Sequence, residues 1–182
     1  MDYLGFIGDV DLRERLRDSI QYVFTLYEYS KSSDFHKLYT EETYRVIILY
    51  VVSAIEAVLL YFYKERGEKI ENIEYKFVQE LSPQYEHNQR KGLPVVIAVQ
   101  ERVNKKEHQL GLRELVTFFK DKKLIREATA DGILDMNEVR NTFHFNKQRE
   151  KKCDLDLVEK ALNLLKHTIE NAPKALMQKS KT

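Results

Sequence analysis

Apolar residues recur every three or four positions along most of the chain, and this spacing predicts amphipathic α-helices. In the first such segment Leu12, Leu16 and Ile20 would lie on one face, because helical positions three or four apart are neighbours. In the last such segment Asp154 would be the N-cap, and Pro173 would end the helix. The predicted helices cover residues 10–30, 41–66 and 112–120, a segment that begins near Asp131, and a last segment from Asp154 to just before Pro173.

The segment from Val46 to Tyr63 is strongly apolar, with Ser53 and Glu56 as its only strongly polar side chains. Its length is at the lower margin for crossing a bilayer. Glu56 lies mid-segment, where a charge in lipid is costly, and the tyrosines are spread along the segment instead of being banded at its ends. We therefore predict a buried central helix, ending at Gly67, and no membrane association.

Residues 67–95 interrupt the helical pattern. Ile70, Ile73 and Phe77 allow a short helix, and the two proline-containing stretches after them mark loops, so we predict a short helical or loop elaboration. Residues 95–103 form an apolar run that is too short to classify by its period, but its position between helical segments favours a helix over a strand.

These elements and the composition together predict an all-α protein. A chain of 182 residues with 43% hydrophobic residues is large enough to bury a core without disulfides or metals. We predict an up-and-down helical bundle that forms a single domain over residues 1–173. A basic, frayed tail would follow over residues 174–182.

Charge and cysteine content narrow the classes of function. The 30 basic and 29 acidic residues leave a formal charge of +1, so no global field would attract a nucleic acid, and any RNA site must be local. Cys153 is the only cysteine, and no Cys/His cluster has zinc spacing, so we expect no intrachain disulfide, metal or cofactor. The first residues show no basic region followed by an apolar stretch, so we expect no signal peptide and a cytoplasmic location.

Arg140, Asn141 and His144 form the group of residues that most clearly indicates chemistry. Helical positions four apart share one face, so the side chains of Arg140 and His144 would reach the same ligand. Arginine has a planar, charged fork suited to phosphate, and histidine has an unperturbed pKa near neutral pH. The pair would bind a phosphate and move a proton, as RNA cleavage requires. Alternatively, the arginine lies on a solvated face and His144 is a core-edge histidine bonded to a backbone carbonyl.

The chain resembles the HEPN superfamily in three segments. These are residues 52–59 of the central helix (Val-Ser-Ala-Ile-Glu-Ala-Val-Leu), residues 112–116 (Leu-Arg-Glu-Leu-Val) and residues 139–145 (Val-Arg-Asn-Thr-Phe-His-Phe). The similarity covers roughly residues 13–169, and within it only the Arg-Asn…His motif is specific. Members of this superfamily are small helical bundles and are often dimers.

The resemblance implies a metal-independent endoribonuclease, of the kind that acts as a toxin or a phage-defence effector. Arg140, Asn141 and His144 would be the catalytic residues, and two copies of the motif would meet across the cleft of a homodimer and cut RNA. An antitoxin or a nucleotidyltransferase would be a partner. Three residues separate Arg140 from His144, one fewer than the usual spacing, and Asn146 occupies the position where some nucleotidyltransferase-paired members carry a tyrosine as a modification target.

Two further groups would support such a site. A carboxylate is costly in an apolar helix unless it is paired, and Arg140 is the expected partner of Glu56, because the resemblance places their helices side by side. This ion pair would serve either the scaffold or the orientation of Arg140. A basic rim for the RNA backbone, or alternatively a solvated charged loop, follows the motif and consists of Lys147, Arg149, Lys151 and Lys152.

Three functions are consistent with these residues. The first is the metal-independent endoribonuclease, and the second is a non-catalytic HEPN module that binds RNA, a nucleotide or a partner protein in the same cleft. The third is a dimeric helical scaffold. The intact Arg-Asn-His set favours the first over the third, whereas the short motif spacing and the elaboration at residues 71–94 favour the second.

Overall fold

The computed structural model describes residues 3–32, 37–80, 95–143 and 152–177, without the side chains of 37–38 and 172–177. The chain divides into two compact units. The helical unit consists of residues 1–68 and 111–182, and the hairpin unit consists of residues 69–110. The described elements are α1 (Val10–Ser30), α2 (Lys37–Arg66), β1 (Glu71–Glu80), β2 (Val96–Asn104), a 3₁₀ turn (Glu107–Gln109), α3 (Leu112–Asp121), α4 (Glu127–Asn141) and α5 (Leu155–Met177).

The predicted all-α fold is wrong, because the predicted elaboration and the segment after it form two antiparallel strands. The short helix predicted from Ile70, Ile73 and Phe77 overlooked Tyr75, which completes an alternating Ile73-Tyr75-Phe77 pattern with the strand period of two. The run at residues 95–103 is rich in valine and isoleucine, whose branched side chains favour strands. The protein therefore has a mixed fold of helices and a small sheet.

The two strands pair in a defined register. Tyr75 lies opposite Gln100, and Phe77 lies opposite Ala98. The register shifts between Phe77 and Gln79, where one extra residue forms a bulge. In the described part of the chain this sheet has only these two strands, so one edge of each strand is left without a partner strand.

Helix α1 is anchored at its start and buried along one face. The Leu12 N–H donates to the Asp9 carboxylate at 3.0 Å, which caps the helix. Just before it, the Gly8 N–H donates to the Tyr61 hydroxyl at 2.9 Å and so ties the N-terminal segment to α2. The buried face of α1 consists of Leu16, Ile20, Val23 and Ser30.

Helix α2 is the central element of the helical unit and contacts α1, α3, α4 and α5. It is long and apolar enough to cross a membrane, although a buried core helix passes the same test. Within its most apolar stretch, 61% of the residues are buried in the fold. Several of its side chains are fully excluded from solvent, among them Ile47, Ile48, Val51, Val52, Ile55 and Val58.

The turn after α3 joins this helix to the end of α2. Lys123 adopts a left-handed conformation with φ of 57°, and the Leu124 N–H donates back to the Phe119 carbonyl at 2.9 Å, as in a Schellman C-cap. The carboxylate of Glu68 pairs with Lys122 and with Arg66. The Lys122 ammonium is the main cause of the lowered pKa of Glu68, and Arg66 lowers it further.

Helices α4 and α5 approach each other closely at Gly132. A Cβ atom at this position would lie 3.0 Å from Cδ2 of Leu164, so the absent side chain lets the two helices pack. The Asp154 carboxylate accepts the Leu157 N–H at 3.0 Å, which confirms the predicted N-cap of α5. The predicted end of this helix before Pro173 is wrong, because α5 continues to Met177.

Candidate functional site

Arg140 and Asn141 of the predicted motif lie in the last turn of α4. The helix ends at Asn141, and the Thr142 and Phe143 N–H groups donate to the carbonyls three residues earlier, at 3.0 and 3.2 Å. His144 lies outside the described residues. The shared helical face on which the prediction relied therefore extends through Arg140 and Asn141 but is not continued by a described helix to His144.

The ion pair predicted between Glu56 and Arg140 is present. Nη1 of Arg140 donates to Oε2 of Glu56 at 2.9 Å, which joins the last turn of α4 to the middle of α2. The side chains are 29% exposed for Glu56 and 23% exposed for Arg140, so water screens the pair only in part. The carboxylate thereby gains the partner that its apolar helix requires.

Most of the Arg140 guanidinium group has no hydrogen-bond partner among the described residues. A guanidinium has five N–H donors in a fixed fork, and a single nitrogen of Arg140, Nη1, binds Glu56. Among the described residues, no other hydrogen bond engages this fork. Because the pair is partly exposed, a phosphate oxygen could bind the remaining donors while Glu56 holds the arginine in place.

Arg45 is a buried arginine near the end of α4 and was not predicted as a site residue. Its guanidinium lies 5.2 Å from the ring centre of Phe143 and forms an ion pair with Glu41. The residue is 5% exposed, and its Nε and Nη1 atoms have no hydrogen-bond partner in the part of the chain that the structure describes. Its position directly before the apolar segment at residues 46–63 was the signal that sequence reasoning could have used. Two side chains of α2 therefore contact the end of α4 and the residues after it. Glu56 pairs with Arg140, and Arg45 lies over the ring of Phe143.

Among the described residues of this region, Asn137 is a buried amide that was not predicted as a site residue. Asn141 is exposed at the end of α4, whereas Asn137 is buried one turn earlier. Within the described ranges the Oδ1 atom of Asn137 has no hydrogen-bond partner, which is costly for a buried acceptor.

The predicted basic rim is described only at Lys152, which is exposed. The other three residues, Lys147, Arg149 and Lys151, lie outside the described residues. No group of histidine, cysteine, aspartate and glutamate residues in the described ranges could hold a metal ion.

Cys153 lies in the buried environment of Arg45, and burial is the main cause that raises the pKa of its thiol to about 11. We expect this thiol to react with a thiol reagent at pH 8 about 100-fold more slowly in the folded protein than in denaturant, because the thiolate is the reactive form and the pKa is about two units higher. Stopped-flow absorbance with Ellman's reagent measures both rates. Equal rates would contradict the burial of Cys153.

No family model matches the chain, and neither a curated protein nor a solved structure is significantly similar to it. The resemblance to the HEPN superfamily therefore rests on the motif residues themselves.

Proposed function

We propose that this protein is a metal-independent endoribonuclease of the HEPN type, which acts as a toxin or a phage-defence effector. One observation carries the proposal: Arg140 is held by Glu56 at a partly exposed helix end, while most of its guanidinium donors have no partner among the described residues. The motif histidine follows four residues later in the chain. Phosphodiester cleavage without a metal requires a group that stabilises charge on the phosphate and a group that transfers a proton, and an arginine and a histidine supply these two functions.

The proposed reaction begins with attack of a ribose 2′-hydroxyl on the adjacent phosphorus atom. His144 withdraws the 2′-hydroxyl proton, and Arg140 binds the phosphate and offsets the charge that grows on it. The 5′-oxygen leaves and takes a proton from the partner subunit's His144. The products are a 2′,3′-cyclic phosphate and a 5′-hydroxyl end. Asn141, exposed beside Arg140, orients the phosphate or the histidine.

This reaction requires a homodimer, in which two motifs face one cleft and the two histidines act as base and acid. Lys147, Arg149, Lys151 and Lys152 are proposed to bind the RNA backbone beside the cleft. The proposal places the protein in the cytoplasm, where an antitoxin or a nucleotidyltransferase would restrain it.

We expect purified protein to cleave single-stranded or structured RNA in EDTA, and His144→Ala to abolish cleavage. The matched control is His167→Ala, which replaces an exposed histidine of α5 and should retain wild-type activity. Gel electrophoresis measures cleavage, and end-group analysis identifies the cyclic phosphate. Cleavage that survives His144→Ala, or that requires a divalent ion, would contradict the proposal.

The alternative function is a non-catalytic module that binds RNA, a nucleotide or a partner protein in the same cleft. One observation favours it: α4 ends at Asn141, three residues before His144 in the sequence. In the same experiment this function would appear as RNA that stays intact but binds the protein, with binding weakened by Arg140→Ala.

A further inference from the structure

Strand β1 of the hairpin unit is exposed along its whole length. Ile73, Tyr75 and Phe77 alternate along it and therefore share one face of the strand. Their exposed fractions are 48%, 70% and 65%, which is unusually high for three neighbouring large apolar side chains.

The outer edge of β1 is also open, because β1 pairs only with β2 among the described strands. An isolated two-stranded hairpin is at best marginally stable in water, and an open apolar edge is a template for another strand. These two properties indicate that β1 has a partner that pairs with its backbone and adds apolar contacts.

We propose that this partner is β1 of a second copy of the chain, paired antiparallel with Tyr75 on the two-fold axis. In this register Glu74 lies opposite Lys76 of the partner subunit, and Ile73 lies opposite Phe77 of the partner subunit. Both the charges and the apolar side chains are thus self-complementary, and each match occurs twice because the interface is isologous.

Neighbouring antiparallel registers lack this complementarity. A two-fold axis at Glu74 would place two carboxylates opposite each other, and an axis at Lys76 would place two ammonium groups opposite each other. A lysine on an edge strand normally discourages pairing, but here the favoured register supplies an opposing glutamate. The strand therefore selects its own copy over strands of unrelated charge pattern.

The charges that β2 places opposite β1 are consistent with this arrangement. Lys76 forms an ion pair with Glu101 of β2, whereas Glu74 has this same Glu101 directly opposite it. Within one hairpin Glu74 therefore faces a like charge. Pairing with the partner subunit's Lys76 would give Glu74 the cation that its own hairpin does not place opposite it.

The charge test uses Glu74→Lys, Lys76→Glu and the double variant, with self-association measured by analytical ultracentrifugation. Glu74→Lys is the sharpest variant, because the introduced ammonium group would face Glu101 favourably inside the hairpin but would face the partner subunit's Lys76 across the interface. We expect each single variant to raise the dimer dissociation constant about tenfold, and the double variant to restore it. Far-UV circular dichroism checks that every variant folds.

The register test uses a cysteine on the proposed axis. Tyr75→Cys should form an intermolecular disulfide under mild oxidation, because directly opposite Cα atoms of antiparallel strands are about 4.5–5.5 Å apart. Phe77→Cys is the matched control, since it lies two positions from the axis and its own copy would be too distant. The wild type contains only the buried Cys153 and should not cross-link.

The proposed function also requires a homodimer, so dimerisation alone does not identify the β1 interface. The response to Glu74→Lys and the cross-link of Tyr75→Cys do identify it, because neither residue belongs to the proposed RNA site. A chain that stays monomeric at about 100 μM, well within the range of weak strand-mediated contacts, would overturn the proposal. A dimer whose dissociation constant is unchanged by Glu74→Lys would also overturn it. So would a Phe77→Cys variant that cross-links as fast as Tyr75→Cys.

Discussion

Replacement of Arg140 by alanine is expected to lower the rate of RNA cleavage by about 10²–10³-fold, since this is the typical cost of removing one donor that stabilises transition-state charge. The proposed function assigns Arg140 to the scissile phosphate, and the ion pair with Glu56 fixes the position of its guanidinium. Single-turnover kinetics with a short labelled RNA measures the chemical step separately from RNA binding.

The matched control is Arg113→Ala, which removes the arginine of another Arg–Glu pair of the helical unit. Arg113 lies 3.4 Å from Glu138 in an exposed pair, and its loss should change the cleavage rate less than about twofold. Thermal unfolding of both variants separates catalysis from stability. A loss of cleavage that merely follows a loss of folded protein would contradict the assignment of Arg140 to the phosphate.

Glu56→Gln separates positioning from direct phosphate binding. The amide keeps the shape of Glu56 but weakens the ion pair, so Arg140 would still reach the phosphate in a less restricted orientation. We expect a smaller decrease in rate than for Arg140→Ala, and little further decrease when the two changes are combined. Fully additive effects would show that Glu56 acts independently of Arg140.

Replacement of Ile55 by alanine is expected to lower the free energy of unfolding by about 2–5 kcal/mol, because it removes buried methyl groups and leaves a cavity. Ile55 is 0% exposed in the middle of α2, beside Glu56. For a chain of this size, a loss of about 3 kcal/mol corresponds to a decrease of roughly 6–12 °C in Tm. Urea titration followed by circular dichroism gives the free energy.

Leu49→Ala, on the same helix, is the matched control for Ile55→Ala. Its side chain is 43% exposed, so the same kind of truncation should cost less than about 1 kcal/mol. Equal losses for the two variants would mean that α2 does not bury the face on which Ile55 lies.

The helices could be predicted from the sequence because their apolar stripes have the helical period over many residues. The predicted and observed bounds agree for α1, and they differ by one residue for α3, where the predicted end is Lys120. The start of α4 was missed by four residues, because Glu127 to Ala130 lack a clear apolar stripe. The strands were missed because short apolar runs fit both periods, and the positions of neighbouring helices were given too much weight.

The ion pair of the candidate site could be predicted from the sequence, because a carboxylate in an apolar helix requires a cationic partner. A glutamate in an apolar helix needs a cation, and that requirement identified the contact between Glu56 and Arg140. Arg45 and Asn137 could not be recognised in this way, because their burial depends on how α2 and α4 pack. The end of α4 before His144 was equally hidden, since the residues after Asn141 carry no glycine or proline that would mark it.

The order of the helices along the chain has a consequence for synthesis on the ribosome. The most extensive packing partner of α2 is α5, which begins about ninety residues after α2 ends. At about 5–20 residues per second, the ribosome completes α2 roughly 5–20 s before α5 starts to emerge. During this interval an apolar helix of membrane-spanning length lacks its most extensive packing partner, so the nascent chain exposes apolar surface that favours aggregation.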